Sequence, residues 1–261
     1  MIELRGRSAL VTGGSSGIGR ALTLALAREG MTVVAASNEP DLLAGLVGEI
    51  RSAGGRAEGL EVDLSDPGQV AALLGRAEER VGPLHLLVNN AGMGLQATVE
   101  QTPEDRLRRI FEVNFFALAA LCREALARMG ARGSGHIVNL SSASARRGLP
   151  RLSAYASSKA AVHAFTQALR IEARPKGVQV TEILPISVRT PFFERSDNLA
   201  DRAYRPKGLV QTPESVARLV VDCVRRPRAE ITTSGLTHWL LVLQSAFPNA
   251  LEPVVRYFSE R

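Results

Sequence analysis

Ser8-Ala9-Leu10-Val11-Thr12-Gly13-Gly14-Ser15-Ser16-Gly17-Ile18-Gly19 decides the fold. Its first five residues are an apolar run of strand length, and a glycine-rich turn, not a hairpin, comes next. From Gly17 to Glu29 the period changes: Ile18, Ala21, Leu22, Ala25 and Leu26 fall on one helical stripe. Gly13, Gly17 and Gly19 allow a tight turn and let a ligand phosphate approach the backbone. The helix beyond the turn offers unpaired N–H groups and a positive dipole end to a pyrophosphate. The spacing is G-x-x-x-G-x-G rather than G-x-G-x-x-G, and no Gly-Lys-Ser/Thr is present after it, so it is not a Walker loop.

Outward from that turn the alternation repeats. Strands are predicted at Thr32–Ala36, Ala57–Val62, Leu84–Asn89, His136–Leu140, Val178–Leu184 and Ala229–Thr232. Helices are predicted at Pro40–Ala53, Pro67–Val81, Pro103–Arg128, Ala154–Ala173 and Pro213–Arg225. The strands are near-continuous apolar runs rather than alternating ones, as in a parallel sheet covered on both faces. The expected fold is α/β, a doubly wound, mostly parallel sheet of Rossmann type, in one domain spanning residues 1–261. Residues 187–212, with Pro191, Pro206 and Gly208, read as an irregular substrate-side lid, and 236–261 as an apolar C-terminal extension.

The chain has 261 residues, 45% hydrophobic and 22% charged, enough to bury a core without metal or disulfide staples. No apolar run approaches 18 residues, so no integral membrane segment is expected, and the first residues carry no secretory signal. Cys122 and Cys223 lie in apolar stretches, which suits reduced thiols in a cytoplasmic protein. The net charge of +6 comes from scattered arginines; only Lys159, Lys176 and Lys207 are lysines. No basic run favours nucleic acid. The four histidines are isolated, so no metal is expected, and Gly-x-Ser-x-Gly is absent.

Two further motifs carry chemistry. Asn89-Asn90-Ala91-Gly92 ends the fourth strand, where the ligand crevice of such a sheet lies. Tyr155-Ala156-Ser157-Ser158-Lys159 puts Tyr155 and Lys159 on one helix face. An ammonium ~5 Å from a phenol, at an effective dielectric of ~20, is worth about 3 kcal/mol, or roughly two pKa units. Lys159 could therefore make Tyr155 a usable proton donor near neutral pH. Ser141-Ser142 ends the fifth strand and brings a hydroxyl to the same crevice.

TGGSSGIG, VDLSD, NNAG, the Asn of FEVNFFA, NLSSASA and YASSK, in this order, resemble the short-chain dehydrogenase/reductase family over about Leu4 to Thr233. The resemblance implies hydride transfer between a nicotinamide cofactor and a small-molecule carbonyl or alcohol. It makes Tyr155 the general acid/base, Lys159 the holder of the nicotinamide ribose, Ser142 the orienter of the substrate oxygen, and Asn114 the holder of a relay water. Two alternatives stand: Ser141 could be a packing partner, and Asn114 could be a helix-kink amide. A non-catalytic nucleotide sensor on this fold usually lacks the Tyr or the Lys; both are present.

The expected cofactor residues are Gly13, Ser15, Ser16, Gly17, Ile18, Gly19, Ser37, Asn38, Asp63, Leu64, Asn90, Ala91, Gly92, Tyr155, Lys159, Val188 and Thr190. NAD members carry an acid where this chain has Ala36. With no carboxylate there and with Ser37 and Asn38 as donors, NADP is expected, NAD remaining possible. The basic residue common in NADP members is missing at Ser16 and Ser37. Ile186 replaces the family's glycine after Pro185, a β-branched residue that cannot easily take a glycine-only conformation. The family's association through two long helices implies a homodimer or homotetramer, here through Pro103–Arg128 and Ala154–Ala173.

Overall fold

The computed structural model describes residues 2–200, 209–247, 249 and 252. Seven parallel strands form the central sheet: β1 (Ser8–Thr12), β2 (Thr32–Ser37), β3 (Arg56–Glu61), β4 (Leu86–Asn89), β6 (Gly135–Leu140), β7 (Val178–Leu184) and β9 (Glu230–Thr232). Their order is β3-β2-β1-β4-β6-β7-β9, so the chain winds outward from β1 in both directions. Ligand crevices in such sheets open at the strand C-termini beside this reversal. A second, two-stranded sheet, β5 (Leu95–Gln96) with β8 (Asp197–Asn198), ties the segment after β4 to the segment after β7.

Side-chain alternation sends successive strand residues to opposite faces. Ala9, Val11, Val33 and Ala35 pack beneath α1 (Gly17–Arg28), α2 (Pro40–Ser52) and α7 (Pro213–Arg225). Leu10, Val34 and Leu87 face α3 (Pro67–Val81), α5 (Ala117–Ala131) and α6 (Ser153–Ala173). Helix starts reflect local chemistry: Asp66 accepts from the N–H groups of Gly68 and Gln69, with Pro67 in the first turn. Thr212 caps α7 in the same way ahead of Pro213.

Three elements differ from the sequence expectation. The helix expected over Pro103–Arg128 is α4 (Glu104–Phe111), a π turn (Glu112–Phe116) and then α5. The β5–β8 pair has no sequence signal, because two-residue strands carry no period. The apolar segment after Ser234 is a helix, α8 (Gly235–Ala246), capped by Ser234 Oγ. Of the expected lid, residues 201–208 lie outside the described residues, as does most of the chain after 247. Among the described residues no helix is long and apolar enough to cross a membrane.

Candidate active site

A cavity of about 580 Å³ opens at the C-terminal ends of β1, β4, β6 and β7. Of the expected residues, Gly13, Ser16, Gly17, Ile18, Asn90, Ala91, Gly92, Ser142, Tyr155, Lys159, Val188 and Thr190 line it. Ser15, Gly19, Ser37, Asn38, Asp63, Leu64 and Asn114 do not.

The glycine-rich turn is closed by side chains from β4. Asn90 donates from Nδ2 to the carbonyls of Thr12 (2.9 Å) and Gly13 (3.1 Å), while Thr12 Oγ1 accepts from the N–H groups of Asn90 and Ala91. A Cβ on Gly19 would overlap the Gly13 carbonyl oxygen, so glycine is imposed there by space. Gly17 has φ +53°, and a Cβ on it would meet Thr190 Cγ2 at 3.1 Å. Ser16, at the helix N-cap, makes no side-chain capping bond. The residues present thus fit a dinucleotide: a side-chain-free cradle over unspent backbone donors.

Tyr155 and Lys159 lie one turn apart on α6, with Lys159 Nζ 6.0 Å from the Tyr155 ring centroid. Lys159 is buried and donates to the Leu140 carbonyl (3.0 Å). Burial lowers its pKa to about 8, against the pull of the Glu182 carboxylate. Ser142 Oγ accepts from Ser144 N (3.1 Å) and Ser144 Oγ (2.8 Å), which leaves its own proton to donate elsewhere. Ser141 Oγ instead donates to the Lys159 carbonyl and packs. Asn114 sits in the π turn; its Oδ1 accepts from Met93 N (2.8 Å), and Nδ2 donates to Met93 O and Ser158 Oγ (both 3.0 Å). Both amide protons are therefore spent on protein groups.

At the other end of the cleft lie the expected donors. Ser37 is buried, and its Oγ is occupied by Ser15 Oγ (2.8 Å) and Glu39 N (3.2 Å). Asn38 is exposed. A carboxylate does stand nearby: Glu39 Oε2 accepts from Ser15 Oγ at 2.8 Å. Asp63 accepts from the N–H and hydroxyl of Ser65, which hold its carboxyl below the usual range.

The remaining wall is largely apolar, with Ser187, Arg195, Ser234 and Thr237 as polar members. Phe192 packs at 5.5 Å from the Tyr155 ring, and Leu236 and Leu240 of α8 close the cavity from above. Ile186 also lines it and carries no strain: Arg151 is the one non-glycine with positive φ among the described residues. The concern about a glycine-only conformation is thereby removed. One cluster escaped the sequence altogether, because its members come from separate elements. His163 Nδ1 lies 2.7 Å from Glu182 Oε2, and these two with Glu230 place ligating atoms within 4.8 Å of one another. Arg146 Nη2 donates to both oxygens of Glu230.

The short chain dehydrogenase family profile matches residues 7–200. This chain belongs to the short chain dehydrogenase family. Ketoacyl reductase HetN of Nostoc sp. is 32% identical over 266 residues, covering 99% of this chain and 91% of that relative. The 3beta-hydroxysteroid dehydrogenase of Mediterraneibacter gnavus is 39% identical over 72% of this chain and 68% of its own length. Among solved structures, a short chain dehydrogenase/reductase from Burkholderia phymatum in complex with NAD superposes with a TM-score of 0.85 at 29% identity, over 94% of this chain and 95% of that one. A putative NAD(P)-dependent gluconate 5-dehydrogenase from Beutenbergia cavernae with bound NADP gives 0.79 at 31% identity, over 91% and 98%. The family and these neighbours make the chain a nicotinamide-dependent oxidoreductase.

Proposed function

We propose that this short chain dehydrogenase interconverts a carbonyl and an alcohol on an apolar substrate, with Tyr155 as general acid/base and NADP as preferred cofactor. The bound cofactor supplies or accepts the hydride; Gly13, Gly17, Gly92, Thr190 and Lys159 are the residues to hold it. The carrying observation is that Tyr155, Lys159 and Ser142 line one cavity, with the Ser142 hydroxyl proton left to donate. In reduction, Tyr155 gives its phenolic proton to the carbonyl oxygen while Ser142 donates a hydrogen bond to the same atom. In oxidation Tyr155 takes the hydroxyl proton. Lys159 stabilises the phenolate by its charge. Asn114 braces Met93 from the π turn, with both amide protons engaged by Met93 O and Ser158 Oγ.

The apolar wall of Leu149, Leu152, Ile186, Phe192, Leu236 and Leu240 supports a bulky apolar substrate. The ketoacyl and hydroxysteroid names of two relatives agree with that choice. Cofactor oxidation across aliphatic, acyl and steroidal ketones tests the proposal. Tyr155→Phe should lose about 100- to 10,000-fold in kcat with cofactor binding retained. If wild type and Tyr155→Phe were equally inert while still binding cofactor, the enzyme reading would be abandoned.

We extend the proposal to a homodimer through α4–α5 and α6. Leu118, Leu121, Val162 and Leu169 go to the core, but Phe116 is 52% and Ile171 73% exposed, and Phe115 and Phe165 stay half-covered in an edge contact at 6.0 Å. That apolar remainder wants a second packing surface. Light scattering at micromolar protein should give twice the chain mass; a fully active monomer would refute the dimer.

A further inference from the structure

Arg195 belongs to the segment after β7, yet its guanidinium reaches the glycine-rich turn. Its Nη1 donates to Glu39 Oε1 at 2.5 Å and lies 3.5 Å from Ser16 Oγ. The other Glu39 oxygen accepts from Ser15 Oγ, which also meets Ser37 Oγ. Residues 156 and 179 positions apart in sequence thus converge where β2 ends. In a doubly wound sheet the adenosine ribose of a dinucleotide lands there.

Among the described residues, a carboxylate, Glu39, and a guanidinium, Arg195, meet at this point. Both Glu39 oxygens are engaged, so a ribose diol would have to displace Ser15 or Arg195 to be bound by it. The guanidinium bonds Glu39 through one nitrogen and carries further N–H donors in a planar fork, the geometry that suits a phosphate. It stands beside Ser16, one of the two positions where the sequence lacks a basic residue.

We propose that Arg195 selects the 2′-phosphorylated form of the dinucleotide, and that Glu39 holds the guanidinium in place until the phosphate arrives. The assignment rests on the nicotinamide reading and adds to it the residue that discriminates. Arg195 N also donates to the Pro191 carbonyl (2.9 Å), and Phe192 and Phe193 of the same short turn line the substrate cavity. One short turn therefore carries both Arg195 and two aromatic residues of the cavity wall.

The test is direct binding, without turnover: calorimetric titration of NADP, NAD, 2′,5′-ADP and 5′-AMP into wild type, Arg195→Ala, Arg195→Lys and Glu39→Gln. Both side chains are about a third or more exposed, so the variants should fold, and a thermal melt checks it. Arg195→Ala should weaken NADP and 2′,5′-ADP by about 10- to 100-fold, the worth of a charge-assisted bond to phosphate, and leave NAD and 5′-AMP within about 3-fold. Arg195→Lys should restore part of the loss, and Glu39→Gln should not weaken NADP. If wild type favours NADP and Arg195→Ala keeps the ratio, the assignment is wrong while the cofactor reading stands. If wild type favours NAD and Glu39→Gln abolishes that preference, Glu39 is the selector and Arg195 is not. Binding of neither dinucleotide would overturn both readings.

Discussion

The two walls of the cleft are built differently. One consists of the strand ends, the glycine-rich turn and the first turns of α6. Lys159 and Ser158 are buried there, and Asn90 locks Gly13. The other consists of the segment after β7 and of α8. Most of its side chains on the cavity are apolar, Arg195 being the charged exception, and Leu236, Trp239, Leu240, Leu243 and Phe247 are all exposed by 42% or more. On the proposed function, the first wall holds atoms in fixed positions for a proton and a hydride, while the second, Arg195 apart, offers mainly apolar area. Reaction type is thus set by a rigid scaffold and ligand choice by what is draped over it.

The largest expected effect comes from breaking the first wall at Lys159. Lys159→Met should cost at least about 100-fold in kcat/KM and move the basic limb of the pH–rate profile upward, because the phenol loses its neighbouring ammonium. Stability should move the opposite way. The lysine's pKa is about 8 in the fold against 10.5 unfolded. Between those values the unfolded chain holds more protons, so wild-type stability rises with pH across that window and carries the full burial cost below it. Lys159→Met should remove that slope and gain up to ~3 kcal/mol at neutral pH. A denaturant series at pH 7 and pH 10 reads this; an unchanged pH–rate profile in the variant would exclude the electrostatic role.

A second break tests whether the rigidity is steric. In Gly19→Ala the added methyl meets the Gly13 carbonyl and Asn90 Nδ2, both fixed by the Asn90 bonds. The turn must open, at a cost of about 1–3 kcal/mol in stability and more than tenfold in dinucleotide affinity. Gly45→Ala, where no atom lies within 4 Å, is the control and should leave binding unchanged. Equal behaviour of the two variants in a thermal melt and a cofactor titration would remove the steric account.

The two walls also differ in how far the sequence discloses them. The strands of the central sheet, Tyr155, Lys159 and the glycine turn depend on local patterns: near-continuous apolar runs, a four-residue helix spacing, a turn before a helix. All are legible. The π turn at Glu112–Phe116 is not, since one inserted residue leaves the helical stripe almost intact. Nor is α8, where GLTHWLLVLQSA is too uniformly apolar to define a face. Arg195 with Glu39, and His163 with Glu182 and Glu230, are meetings of distant segments, and no local spacing encodes them.

The smallest expected effect lies on the second wall. Leu240 lines the cavity from α8 yet remains 42% exposed, so truncating it removes about half of a leucine's burial. Leu240→Ala should therefore lower stability by no more than about 1 kcal/mol, far below a core leucine such as Leu73. Its effect on catalysis should depend on the substrate. A bulky ketone that reaches α8 loses apolar contact in both ground and transition states, so KM rises several-fold while kcat holds. A small ketone that occupies only the Tyr155 end should show no change. Steady-state kinetics on a short and a long ketone separate the outcomes. A kcat loss shared by both would mean that α8 supports the catalytic wall as well, and the division of labour between the two walls would have to be given up.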